Sequence, residues 1–326
     1  MEVKRDHIIR AITYIDEIHV FTTILETNEK KEIFVRNFDI YYAAEQFFEE
    51  IYSHVEKAKI CGIIFVMGNT LRPSFMDSYP FRLKCRNYCY EHNIPIAFTC
   101  YKCMEMQAAL HTSKIPINEL KNGEIITVIA KIVSTQRDLV SSIPMRYDNN
   151  EFQILPTFLY FNPDLKSKEF QEDFLKTKLL NSKYYIIVYP DEESTNRYQK
   201  VFDSLNSVFI ERWDKTMTTK VDMEVTLHKL GLQKANFSVN YCPVVFKAVY
   251  GDEILFSSEE KFPMKKSCEI NVDSKKTVKH EIHQKGWDAV IFTREISLKN
   301  YISPKATVTM EIDKNLCFKF DVQQLT

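Results

Sequence analysis

Helical periodicity runs through this chain in short bursts and stops near residue 235, and that switch limits the folds open to it. Before the switch, apolar strands alternate with amphipathic helices. "YYAAEQFFEEIYSHVEKA" (41–58) carries Ala44, Phe47, Phe48, Ile51, Tyr52 and Val55 at i, i+3, i+4 spacing, which gives a helix one buried stripe. "ICGIIFVM" (60–67) is wholly apolar, as a central strand covered on both faces must be. Helices are expected over "FRLKCRNYCYEHN" and "MEMQAALHT", and strands over "IPIAFTCY" and "EIITVIAKIV". A hairpin follows in "SIPMRYDNNEFQILPT", turning at Asp148-Asn149-Asn150. Further helices are expected over "EFQEDFLKTKLL" and "STNRYQKVFDSLN", on either side of a strand "KYYIIVYP". At the start, 8–21 and "TILETNEKKEIFV" read as strands with a polar turn at Asn28-Glu29-Lys30. Strands alternating with helices imply an α/β domain.

After the switch the runs are strands alone. In "ATVTMEIDKNLCFKFDV", Val308, Met310 and Ile312 alternate with Thr307, Thr309 and Glu311. Beyond a turn at Asp313-Lys314-Asn315, Leu316, Phe318, Phe320 and Val322 alternate with Cys317, Lys319 and Asp321. A hairpin with one apolar and one polar face belongs in a β-sandwich. The expected organisation is α/β over 1–234 and β-sandwich over 235–326, joined near "LGLQKANF".

Other features bound the function. Net charge is −1, which gives no electrostatic reason to expect nucleic acid or an anionic membrane as a partner. No apolar stretch reaches the ~18–20 residues that span a bilayer, and "MEVKRDH" is no signal peptide. A cytoplasmic location is expected, with the eight cysteines as reduced thiols. Six residues of 326 are glycine, against a usual ~7%. Glycine lets backbone approach a ligand closely, so this chain cannot hold several glycine-rich phosphate loops.

In domain order and in local strings the chain resembles a divergent, shortened member of the seventy-kilodalton heat-shock chaperone family. "FPMKKS" (262–267) is similar to that family's Ile-Pro-Thr-Lys-Lys-Ser, and the last hairpin to one carrying Ile-Asp-Ala-Asn-Gly. "GIIFVMGNTLR" through "MEMQAAL" follows the segment from Val-Pro-Ala-Tyr-Phe to Glu-Pro-Thr-Ala-Ala-Ala, with Glu105, Ala108 and Ala109 on the last motif. The resemblance implies an actin-like (ribonuclease-H-like) ATPase domain, then a β-sandwich that grips extended apolar peptides. The family's helical lid has no counterpart before Thr326.

The resemblance also implies a damaged nucleotide site. "AKIVSTQRDLV" (130–140) falls on Phe-Asp-Leu-Gly-Gly-Gly-Thr-Phe-Asp-Val, so Asp138 is kept, Lys131 replaces the other aspartate, and Val133, Ser134 and Thr135 replace glycines. "TYIDEIHVF" keeps Asp16 of the first phosphate loop but neither glycine. "PDEESTNR" places Glu192, Glu193, Ser194 and Thr195 on the adenosine-side loop, with the two glutamates in glycine positions. A non-glycine residue held at positive φ costs about 1–2 kcal/mol, and its Cβ keeps phosphate oxygens from the backbone amides. The peripheral subdomains are also missing or reduced. A pseudo-ATPase without cofactor is expected, the alternative being a Mg-ATP-dependent folding chaperone with unorthodox loops. Asp16, Glu105, Lys131 and Asp138 are then vestigial rather than catalytic.

The peptide-gripping surface is what the resemblance leaves. Carried over position by position, its pocket involves Ala248, Tyr250, Ile270, Val278 and His280, between loops at Gly251-Asp252 and Ser274-Lys275-Lys276. The expected partner is an unfolded or extended apolar polypeptide, or a protein, and a scaffold that binds neither is the further alternative. Two metal motifs compete with plainer readings. Cys85-x3-Cys89 and Cys100-x2-Cys103 approach zinc spacing, but the first pair shares a helix face and Cys is often buried. His280 and His283 of "HEIH" point to opposite faces of a strand. No metal is expected.

Overall fold

The computed structural model describes residues 4–14, 17–37, 44–67, 75–133, 138–155, 158–161, 182–189, 206–211, 223–234, 236–258, 262–285 and 289–325. Strands β1 (His7–Tyr14), β2 (Glu17–Ile24) and β3 (Lys30–Asn37) form an antiparallel meander. β4 (Ile60–Met67) and β5 (Ile96–Cys100) extend it on the other side of β1, giving the order β3-β2-β1-β4-β5. β4 runs parallel to β1, which demands a crossover; α1 (Ala44–His54) lies in it. α2 (Phe75–Glu91) connects β4 to β5, and α3 (Tyr101–Ser113) follows β5. The apolar run 8–21 therefore contains two strands, with Tyr14 paired to Glu17. The residues between them lack the Asn-Gly or Gly-X signature of a tight hairpin, so the break is silent in the sequence.

The same order recurs downstream. β6 (Ile125–Val133), β7 (Asp138–Asp148) and β8 (Glu151–Ile154) are an antiparallel meander. β10 (Tyr184–Tyr189) lies parallel to β6, and β11 (Ser207–Glu211) parallel to β10. Read from β8, the order is β8-β7-β6-β10-β11, with β9 (Phe158–Phe161) also on β7 and β12 (Ser238–Asn240) outside β8. One arrangement, three strands in a meander and two added beside the first, is used twice. That duplication is an actin-like architecture, as expected for the α/β part. Asn149 and Asn150 join β7 to β8 with φ of 49° and 64°, the pair of positive values that a two-residue hairpin requires and Asn tolerates. The helices expected over "EFQEDFLKTKLL" and "STNRYQKVFDSLN" lie outside the described residues.

Each sheet has its own core. Phe47, Phe48 and Ile51 of α1 and Cys85 and Cys89 of α2 are buried with Ile9, Ala11, Ile63 and Phe65 of the first sheet. Met106, Ala109 and Leu110 of α3 are buried with Ile126, Val128, Ile186 and Phe152 of the second. The Gln107 side chain of α3 donates to the Phe237 carbonyl and accepts from the Val239 amide, fastening β12.

The remaining strands form two antiparallel sheets. One has the order β14 (Glu253–Ser257), β13 (Val244–Tyr250), β16 (Thr277–Gln284), β17 (Val290–Ser297); the other is β15 (Met264–Asn271), β18 (Lys305–Ile312), β19 (Phe318–Gln324). Both contribute to one core, with Phe246, Val278 and Ile282 from the first sheet and Val308, Met310, Ile312 and Phe320 from the second. Leu316, placed in the strand alternation by sequence, instead sits in the β18–β19 turn at φ 58°.

Compactness groups the chain differently from secondary-structure content. One unit comprises residues 1–99 together with 242–326, and the other residues 100–241. Within the first unit, the β18–β19 turn sits on α2 and β5. The Tyr79 hydroxyl donates to the Phe318 carbonyl (3.2 Å) and accepts from the Phe318 amide (3.1 Å). Buried Arg82 donates to the Asn315 carbonyl, Arg86 pairs with Asp313 at 3.3 Å, and Asn315 Oδ1 accepts from the Phe98 amide. Burial pulls the Arg82 pKa down.

Candidate functional site

The five residues carried over as a peptide pocket are brought together. Even-numbered positions of β13 and β16 face inward, so Ala248 lies opposite His280 and Tyr250 opposite Val278 in the antiparallel register. Ile270 joins them from β15 of the other sheet. All five belong to one packed core: Ala248, Val278 and His280 are fully buried, and Ile270 and Tyr250 retain only 6% and 9% exposure. Their apolar surface is already turned towards one another.

The two flanking loops are tied together by Tyr250. Its hydroxyl donates to the Asn271 carbonyl at 2.7 Å and accepts from the Asp273 amide at 2.9 Å. The Gly251 amide donates to the Thr277 carbonyl at 3.2 Å, and Lys276 Nζ lies 5.1 Å from the centre of the Tyr250 ring. Gly251 adopts φ 61°, the left-handed conformation that a residue with a Cβ resists. The second turn is an Asx turn, Asp273 Oδ1 accepting from the Lys275 amide at 2.9 Å. A phenol thus holds one backbone acceptor and one backbone donor between the loops. An extended polypeptide presents those same two functions every second residue. Sequence reasoning selected Tyr250 as pocket lining but missed this bridge, because nothing local links residue 250 to residues 271 and 273.

His280 is the anomalous member. Its ring stacks on Phe320 (4.7 Å) and lies parallel to Phe246 (6.1 Å), with Phe318 and Phe292 edge-on at 4.7 and 6.0 Å. Neither ring nitrogen has a hydrogen-bond partner among the described residues. Burial, with a smaller contribution from the Arg294 charge, lowers its pKa from 6.5 to about 4, so the imidazole is neutral at physiological pH.

The nucleotide-site positions fare differently. Glu105 is exposed on α3. Val133 pairs with Asp138, and Lys131 with Val140, where β6 turns into β7; the side chains of Lys131, Val133 and Asp138 lie outside the described residues. Asp16, Ser134, Thr135, Glu192, Glu193, Ser194 and Thr195 also lie outside them. Among the described residues no three His, Cys, Asp or Glu side chains are placed to share a metal ion. No helix of the described residues is long and apolar enough to cross a membrane. His283 bonds Glu281 at 2.9 Å, away from buried His280.

No family model and no curated protein matches the sequence. Among solved structures, the chain is similar to a Bacteroides thetaiotaomicron protein with an actin-like ATPase fold and unknown function. That likeness has a TM-score of 0.31 and 6% identity, over 67% of this chain and 96% of that one. An Aquifex aeolicus member of the Ppx/GppA family gives a TM-score of 0.28 and 9% identity, over 61% and 78% of the two chains. The ethanolamine utilization protein EutJ from Carboxydothermus hydrogenoformans gives 0.26 and 9%, over 68% and 90%. At these scores the duplicated strand order, not the likeness, is the ground for the fold.

Proposed function

We propose that this protein is a chaperone-like binding module that takes up extended apolar polypeptide through its β-sandwich without an ATP cycle. The observation that carries the proposal is the Tyr250 bridge. A side chain that can rotate holds a backbone carbonyl and a backbone amide, Asn271 C=O and Asp273 N–H, beside a cluster of apolar residues. A polypeptide strand that replaced the phenol would recover both hydrogen bonds and gain apolar contact with Val278 and Ile270. Tyr250 is then a latch that a ligand displaces, and it weakens binding by the free energy of its own contacts. The glycine-poor phosphate loops support the absence of an ATP cycle.

The burial of all five pocket residues favours a second reading, a scaffold whose sandwich binds nothing. Fluorescence anisotropy with a labelled Leu-rich heptapeptide separates the two. Tyr250→Phe removes the hydroxyl and frees both backbone groups. A net hydrogen bond is worth about 0.5–1.5 kcal/mol, and two lost from the latch correspond to peptide binding tighter by roughly 5- to 150-fold. Val278→Asp should abolish binding in a protein that remains folded by circular dichroism. Tyr250→Phe binding no better than wild type would remove the latch; binding equal in Val278→Asp and wild type would remove the cleft. Absence of binding in all three proteins would leave the scaffold.

A further inference from the structure

The Cys100-x2-Cys103 pair stands apart from the other cysteines. Cys100 ends β5 and caps α3 in extended conformation (φ −125°, ψ 159°), its Sγ accepting from the Cys103 backbone amide at 3.4 Å. Cys100 is partly exposed, whereas Cys103 is buried. Cys85 and Cys89, by contrast, are both fully buried within α2, where no reagent reaches either sulfur.

The surroundings of Cys100 act in opposite senses. The neighbouring Cys103 thiol and burial hold its own thiol well above the ordinary range, while the Lys229 ammonium opposes that shift. Lys229 Nζ is itself fixed by the Val239 carbonyl at 2.6 Å and Asn240 Oδ1 at 2.8 Å. The first turn of a helix and a nearby cation both favour a sulfur anion. A C-x-x-C pair placed between a strand and a helix has the spacing of a dithiol that closes on itself.

We propose that Cys100 and Cys103 form a redox-active dithiol that is oxidised by exchange with a small-molecule disulfide. Cys100, the partly exposed member, loses its proton and attacks one sulfur of that disulfide, expelling the other as a thiolate that takes up a proton. Cys103 then loses its proton and attacks Cys100 Sγ, expelling the second small thiol. Two protein thiols are oxidised to one disulfide, and one small disulfide is reduced to two thiols. The Cys103 amide lies 3.4 Å from Cys100 Sγ, so the two residues already meet across the first turn of α3. The raised thiol makes the first step slow at neutral pH and faster as pH rises.

The test is oxidation of the folded, full-length protein by glutathione disulfide, followed by denaturation, alkylation and mass spectrometry. Wild type is expected to take up alkyl groups on the other six cysteines only, with a peptide map joining Cys100 to Cys103. Cys103→Ser should instead accumulate a glutathione adduct at Cys100, because the second displacement is gone, and Cys100→Ser should accumulate neither product. Alkylation of all eight cysteines in oxidised wild type would overturn the proposal. So would a disulfide elsewhere, or a Cys103→Ser protein without the Cys100 adduct.

Discussion

His280 makes the fold sensitive to acid. In the unfolded chain its imidazole titrates near 6.5, whereas among Phe246, Phe292, Phe318 and Phe320 its pKa is lowered to about 4. Above pH 6.5 the residue is neutral in both states and its contribution is constant. Between 6.5 and about 4 the unfolded chain binds a proton that the folded chain refuses, so stability falls as pH falls. One pKa unit is about 1.36 kcal/mol, and the interval corresponds to a loss of roughly 3 kcal/mol. His280→Leu keeps the site apolar and removes both unpaired nitrogens. The variant should match or exceed wild-type stability at pH 7.5, since an unsatisfied buried polar group costs about 1–3 kcal/mol. Its advantage should widen by roughly 3 kcal/mol on descending to pH 4. Urea unfolding followed by circular dichroism at pH 7.5, 6.0, 5.0 and 4.0 gives both values. Carboxylates titrate in each protein alike, so the difference isolates His280. Parallel pH profiles for the two proteins, or a His280→Leu variant less stable at every pH, would show that His280 does not set the acid response.

Three further outcomes are expected. Tyr79→Phe leaves the Phe318 amide and carbonyl without their partner and should cost about 1–3 kcal/mol in urea unfolding. Phe47→Ala empties a fully buried site ringed by Phe34, Phe48, Phe65 and Phe81 and should cost about 3–5 kcal/mol by the same measurement. Purified protein should show no steady ATP turnover in a coupled assay; turnover that disappears in Asp138→Asn would overturn the pseudo-ATPase reading.

Much of the architecture was legible because it rests on local pattern. The stripe of Phe47, Phe48 and Ile51 gave α1, the doubled asparagine gave the β7–β8 hairpin, and the alternation through Met310 and Phe320 gave the last strand pair. What was hidden depends on distant partners or on a turn without a signature. The hairpin between Tyr14 and Glu17 interrupts an apolar run without glycine, so the run looks continuous. Leu316 continues a period-two pattern, yet the Asp313 carboxylate takes the Asn315 and Cys317 amides and winds the chain into a longer turn. The contact of Tyr79, Arg82 and Arg86 with residues 313–318 joins parts of the chain that no window spans. Candidate-site positions in β13, β15 and β16 were selected by resemblance. Their burial, and the capture of Asn271 and Asp273 by Tyr250, are tertiary facts.

Ligand-dependent thermal stability tests polypeptide binding by the sandwich and the absence of a nucleotide cycle at once. A ligand that binds only the folded protein raises its melting temperature, with about 2.7 kcal/mol of added stability at a hundredfold excess over Kd. If the sandwich binds polypeptide without a nucleotide cycle, a Leu-rich heptapeptide raises the melting temperature, more in Tyr250→Phe than in wild type, while Mg-ATP and Mg-ADP leave it unchanged. A rise with either nucleotide and none with the peptide would contradict that reading.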